Sequence, residues 1–180
     1  MLTRLATAAD FDTVAAITNP YIAQTPIHFG TEPVTGDELR ADWEKGRDRY
    51  AFIVAEDGAP GRVVGYAKTS AFRARAAYQW TAETGIYVER GWHRAGLGTA
   101  LYRRLVEVSR KQGFHTLVAG ITLPNEASVG LHEKLGFVAA ARFPESGFKL
   151  GRWHDVGFWV LKLAADDSPP APLRTPAEVW

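Results

Sequence analysis

Cysteine is absent from the 180 residues, which excludes disulfides, thiolate metal sites and a cysteine nucleophile. By the same reasoning the cytoplasm is the expected address. An excess of either charge is missing as well: 21 Lys+Arg face 20 Asp+Glu, a formal net charge of +1. That balance argues against a nucleic-acid binder and leaves only local basic patches to consider. No apolar run approaches the roughly 20 residues that span a bilayer, so no membrane is expected. Met1-Leu2-Thr3-Arg4-Leu5 runs straight into polar residues, so no signal peptide is expected either. The five histidines, at 28, 93, 115, 132 and 154, form no His-x-x-x-His or Glu-x-x-His array, and no metal is expected. The chain has 46% hydrophobic and 23% charged residues, a globular balance, and the length of one ordinary domain.

Strand-like and helix-like stretches alternate along it. Leu2 to Leu5 predicts a short strand, and Asp10 starts a helix with Phe11, Val14 and Ile17 on one face. The segment 20–33 holds three prolines without a clear period and reads as a loop with partial helix. Thr35-Gly36-Asp37-Glu38 has capping-box spacing and opens a helix presenting Leu39 and Trp43. Residues 51–55 and 63–67 flank a Gly/Pro turn as a hairpin. Trp80 to Val88 predicts a strand, and Leu97, Leu101, Leu105 and Val108 recur at helical spacing until Gly113. A strand over 115–121, a short helix opened by Asn125, and β-rich segments at 137–143 and 156–163 follow. Residues 1–164 read as the domain, and 165–180, with four prolines, as a mobile tail. The alternation predicts an α/β or α+β sandwich around one sheet.

Between Val88 and Leu101 a strand leads into a glycine-bearing turn and a helix leads out. Gly96 and Gly98 let backbone approach a ligand, and the free N–H groups of the helix start suit a phosphate, helped by Arg94. The plainer reading is a strand-to-helix turn with glycines for packing. A P-loop would need lysine after Gly98, where Thr99 stands. A dinucleotide fold would need a third glycine where Leu101 stands.

Arg94-Ala95-Gly96-Leu97-Gly98-Thr99 resembles the pyrophosphate loop of the GNAT acetyltransferases, and Asn125 with Leu135-Gly136-Phe137 resembles their second cofactor segment. More narrowly, Glu83-Thr-Gly-Ile-Tyr-Val88, Leu123-Pro-Asn-Glu126, Gly147-Phe148-Lys149, residues 153–159 and Phe29-Gly-Thr-Glu-Pro33 resemble the phosphinothricin and methionine sulfoximine N-acetyltransferases. The likeness runs from about residue 2 to 163. One departure stands out: His93 occupies the first position of the loop pattern, usually Gln or Arg, so weaker or pH-dependent cofactor binding is expected.

The resemblance implies a GNAT fold, a mixed and mostly antiparallel sheet of about six to seven strands flanked by about four helices. It implies acetyl-CoA as co-substrate and a homodimer whose acceptor pocket lies near the subunit boundary. His93, Arg94, Ala95, Gly96, Leu97, Gly98 and Thr99 would hold the pyrophosphate. The Ile86-Tyr87-Val88 backbone would pair with the pantetheine arm like an added strand, with the Val88 amide toward the acetyl carbonyl. Asn125 and Ser128 would meet the same arm, and Asn125 is equally a helix cap.

Amines are mostly protonated near neutral pH, so acetyl transfer needs a base near the amine. The resemblance places that base at Glu83; a solvent-facing strand glutamate is the plainer reading. It gives His132 where many relatives have a proton-donating tyrosine, its role left open between donor to the leaving thiolate, hydrogen-bond partner and assisting base. For the acceptor, Arg73, Arg75 and Tyr78 precede the Glu83 strand, and an arginine fork reads a carboxylate or phosphinate. Phe29 would supply an apolar wall. These residues fit the α-amine of phosphinothricin, methionine sulfoximine or methionine sulfone. The same chemistry on an ordinary amino acid, a polyamine or a protein N-terminus, or CoA binding without turnover, are the competing readings.

Overall fold

The computed structural model describes residues 2–58, 61–92, 96–164 and 168–180. Its strands are β1 (Leu2–Leu5), β2 (Phe52–Gly58), β3 (Gly61–Ala71), β4 (Thr81–Val88), β5 (Thr116–Leu123), β6 (Val138–Lys149) and β7 (Arg152–Lys162). The helices are α1 (Phe11–Gln24), α2 (Gly36–Gly46), α3 (Leu97–Gln112), α4 (Glu126–Lys134) and the short α5 (Pro176–Val179). All seven strands form one sheet in the order β1-β2-β3-β4-β5-β7-β6. Every neighbouring pair is antiparallel except β4 and β5. Among the described residues no helix is long and apolar enough to cross a membrane.

Strand alternation divides the core between the two faces. On β2, Ile53 and Ala55 join a cluster built on Leu97, Leu101, Leu105 and Val108 of α3, while Val54 between them joins Phe11, Val14 and Ile17 of α1. Thus α3 and α1 cover opposite faces. The ends of α3 follow from two glycines in the left-handed region, Gly96 (φ 78°) before it and Gly113 (φ 96°) after it. Helix α2 starts at the expected capping box: Thr35 Oγ1 accepts from the Glu38 amide at 3.2 Å, and the Glu38 carboxylate accepts from the Thr35 amide at 2.8 Å.

Two sequence expectations change. Helix α1 does not stop before Pro20 but runs to Gln24. Proline removes one backbone donor there, yet Tyr21 and Ile22 beyond it are buried, and that burial carries the helix on. Residues 168–180 of the tail are docked rather than loose. Leu173 and Val179 pack on the α3 cluster, the Gln112 side-chain amide donates to Arg174 O at 2.9 Å, and Trp80 Nε1 donates to Ala171 O at 2.9 Å. Prolines limit repetitive structure there to the short α5, which Pro176 opens, but a few apolar anchors suffice to hold the strap.

Candidate active site

The parallel pair β4–β5 is the break in the sheet. Its register holds for only three pairs, Thr81↔Thr116, Ala82↔Leu117 and Glu83↔Val118. Beyond Glu83 the strands part, because β5 stays paired with β7 as far as Leu123 while β4 stays with β3 as far as Val88. The gap opens into a cavity of about 320 Å³. Alternation then sends β4 side chains to its two sides. Ile86 packs toward the α3 face and Tyr87 toward the α1 face, so Thr84 shares the first side and Glu83 and Gly85 the second.

On the α1 face, the cavity is walled by Phe29, His28, Lys68, Ser70, Glu83 and Tyr87. Burial pushes the Glu83 carboxyl above its ordinary range, against the pull of Arg73 and Lys68. A side chain at Gly120 would begin 3.5 Å from Glu83 Oε1, so the carboxylate lies directly over the β5 backbone at the gap. The loop carrying His28 and Phe29 is held from below by Lys149, whose buried ammonium donates to Ile22 O and His28 O, each at 2.5 Å. His28 Nδ1 accepts from the Gly30 amide at 2.9 Å, and burial together with Lys149 and Lys68 lowers its pKa. The imidazole is therefore neutral with its proton on Nε2.

On the other side stand Ile86, Asn125, Ser128 and His132. Asn125 Oδ1 caps α4 by accepting from the Ser128 amide at 3.1 Å. His132 is buried, with Nδ1 2.7 Å from Ser128 O and Nε2 2.7 Å from the Tyr102 hydroxyl. A carbonyl only accepts, so Nδ1 carries a proton and burial holds the ring's pKa below the ordinary value. The Tyr102 hydroxyl meets Thr84 Oγ1, which lies 3.1 Å from Val118 O at the last rung of the β4–β5 ladder. With a neutral ring, Thr84 donates to Tyr102 and Tyr102 to Nε2. With a cationic ring, Nε2 donates to Tyr102, Tyr102 to Thr84, and Thr84 to Val118 O. Protonation of the ring turns both hydroxyls over, and in that arrangement Thr84 donates to Val118 O.

The structure brings Phe29, Glu83, Ile86, Tyr87, Asn125, Ser128 and His132 around one cavity. Gly96, Leu97, Gly98 and Thr99 form the α3 start, with open space where a Gly96 side chain would stand and Gly98 against Ile86 and Leu131. Val88 closes β4, its carbonyl accepting from the Tyr21 hydroxyl at 2.5 Å. His93, Arg94 and Ala95 lie outside the described residues. Arg73 is near enough to act on Glu83, but neither it nor Arg75 nor Tyr78 lines the cavity; they sit on the exposed segment before β4. Lys68, His28 and the Thr84–Tyr102 pair were not singled out by the sequence. Lys68 carried a signal, since a lysine directly after the apolar run Val63–Ala67 is unusual for a central strand. Among the described residues no group of His, Asp and Glu is placed to hold a metal ion.

The sheet parts between its two parallel strands, with a helix start below one wall and a carboxylate on the other, so a ligand held at the helix start and one held at the carboxylate meet through the gap. The acetyltransferase (GNAT) family model matches residues 17–137. The phosphinothricin N-acetyltransferase of Streptomyces viridochromogenes is 43% identical, over 98% of this chain and 94% of its own. An L-methionine sulfoximine/L-methionine sulfone acetyltransferase of Pseudomonas aeruginosa is 36% identical, over 93% of this chain and 97% of its own. The solved structure of yncA, described as a putative acetyltransferase from Salmonella typhimurium with its cofactor acetyl-CoA, superposes with a TM-score of 0.90 at 34% identity. That match covers 94% of this chain and 98% of the other. The chain belongs to the acetyltransferase (GNAT) family. It is an acetyl-CoA-dependent N-acetyltransferase.

Proposed function

We propose that the chain acetylates the α-amine of a small amino-acid analogue of the phosphinothricin, methionine sulfoximine or methionine sulfone type, with Glu83 as general base. The observation that carries this reading is the place of Glu83. It is the carboxylate on the cavity wall among the described residues, on the last paired rung before the gap and on the face opposite His132. The names of the two relatives support the acceptor class.

Acetyl-CoA supplies the activated acyl group. The α3 start and the Ile86-Tyr87-Val88 edge hold it, with Asn125 and Ser128 beside the same arm. Glu83 takes the proton from the acceptor ammonium and leaves a neutral amine aimed through the gap. Its raised affinity for a proton suits that task, because a base nearer in pKa to the amine removes the proton more readily. His132 stands on the thioester side, its ring nitrogens engaged by Ser128 O and the Tyr102 hydroxyl. Phe29 walls the acceptor side, and Arg73, outside the cavity, acts on Glu83 through its charge.

The chain acts as a homodimer in this reading. The β6–β7 hairpin at one edge of the sheet leaves Phe143, Phe148, Leu150 and Trp153 more than half exposed, apolar surface suited to a second copy. The acceptor assignment is tested by thiol release from acetyl-CoA over phosphinothricin, methionine sulfoximine, methionine, spermidine and a peptide. The enzyme itself adds no thiol background, since it has no cysteine. Turnover with the first two amines is expected. Turnover with spermidine or the peptide alone would move the acceptor class, and acetyl-CoA binding without any turnover would favour a binding module.

A further inference from the structure

The cation that faces the acceptor is a lysine the sequence did not single out. On β3, Tyr66, Lys68 and Ser70 point to one face by alternation, and the register sets Ser70 opposite Glu83 and Lys68 opposite Gly85. Lys68 and Glu83 are therefore diagonal neighbours on one face, with side chains that start about 7–8 Å apart or somewhat less. The lysine stem lies along Gly85: a Cβ there would be in ordinary contact, 3.9 Å from both Cγ and Cε of Lys68. Lys68 and Ser70 form the wall shared by the acceptor cavity and a second, smaller cavity of about 250 Å³ beside α2. Among the described residues Lys68 is the one lysine or arginine lining the acceptor cavity, and it makes no hydrogen bond or ion pair with any of them. A partly buried ammonium that Asp42 and Glu83 reach through charge without a direct ion pair is costly, and an anion delivered by a ligand relieves that cost.

An α-amino acid carries its ammonium and carboxylate on one carbon. With the ammonium at Glu83, an anionic group of the same molecule reaches toward Lys68 a diagonal step away. Arg73 and Arg75, the expected readers of that anion, lie outside the cavity. We propose that the Lys68 ammonium anchors the anionic group of the acceptor and is the residue that selects a carboxylate-bearing amine over a simple one. The proposal rests on the acceptor class argued above. Burial lowers the pKa of Lys68 while the nearby Asp42 and Glu83 charges oppose the fall, so the wall supplies the ion with partial compensation even before a ligand binds.

The test measures KM and kcat for methionine sulfone and for its decarboxylated counterpart, 3-(methylsulfonyl)propylamine, in wild type, Lys68→Met and Lys68→Arg. A charged hydrogen bond of ordinary strength predicts that Lys68→Met raises KM for methionine sulfone by roughly 10–100-fold and changes kcat much less. The decarboxylated amine should lose its disadvantage in that variant, and Lys68→Arg should restore most of the discrimination. Stabilisation by acetyl-CoA in a melting experiment shows that each variant is folded. Unchanged KM in Lys68→Met, or an equal rise for both amines, would overturn the proposal. So would loss of the discrimination in Arg73→Met or Arg75→Met with Lys68→Met unaffected. A wild type that turns over no amino acid at all would remove the acceptor assignment itself, and the Lys68 proposal with it.

Discussion

At the scale of single residues the site depends on glycines as much as on charged groups. Gly147 on β6 faces Phe29, and a Cβ there would sit 2.3 Å from the edge of the ring. The ring is the exposed end of a side chain, so Gly147→Ala is expected to displace Phe29 rather than unfold the strand. Steady-state kinetics should then show a severalfold rise in acceptor KM, with the acetyl-CoA KM unchanged and the melting temperature within a few degrees of wild type. An unchanged acceptor KM would mean that Phe29 is no part of the acceptor wall. Among the candidates, Glu83 and Phe29 were legible from their motifs, and the structure sets both on the cavity. Lys68 and Tyr102 were not, because each reads as an ordinary strand or helix residue until the register shows what faces it. His132 was legible as a position but not in its contacts: both ring nitrogens are engaged, which only the fold reveals.

At the scale of elements, the most readable parts were those with strong local signals. The capping box of α2, the amphipathic α3 between two left-handed glycines, and the strand entering the glycine turn all form as their residues direct. Harder to read were the segments whose structure is imposed from outside. Helix α1 crosses Pro20 because Tyr21 and Ile22 are buried, and β6 extends to Lys149 across Pro144 and Gly147 with register shifts that absorb them. The C-terminal strap belongs to the same group. Its buried Val179 contributes roughly 1.5–3 kcal/mol and the partly buried Leu173 less, part of which offsets ordering of the segment. Deleting residues 168–180 is expected to lower the melting temperature by roughly 5–10 °C, on the scale of about 2–4 °C per kcal/mol for a domain of this size. An unchanged melting temperature would show that the strap is not docked in solution.

At the scale of the whole molecule, one break in one sheet organises the chemistry, and a buried ion cluster at the opposite edge supports it. Arg4 spans Asp10 and Glu56, donating to Asp10 Oδ2 at 2.7 Å and to Glu56 Oε1 at 2.8 Å. Burial pushes the Asp10 carboxyl up, but hydrogen bonds from Arg4 and Thr7 outweigh it and hold the carboxyl below its ordinary range. The folded-state pKa is thus the lower one. The stabilisation is present above the unfolded value near 3.9 and is lost as pH falls through the folded value. Acid unfolding of wild type and Asp10→Asn should therefore converge at low pH and separate above about pH 4. Equal stability of the two at neutral pH would show that this cluster contributes nothing.

The central claim is that Glu83, reaching into the gap from the acceptor face, takes the proton that frees the amine. Its most direct test is the pH dependence of kcat/KM for phosphinothricin at saturating acetyl-CoA, in wild type and Glu83→Gln. General-base catalysis predicts a loss of roughly 10²–10⁴-fold in the variant near neutral pH, with acetyl-CoA binding intact. It also predicts a wild-type acid limb that rises with pH through a carboxyl pKa above the ordinary glutamate value and is missing from the variant. Turnover by Glu83→Gln within a few fold of wild type, with the acid limb unchanged, would contradict the account.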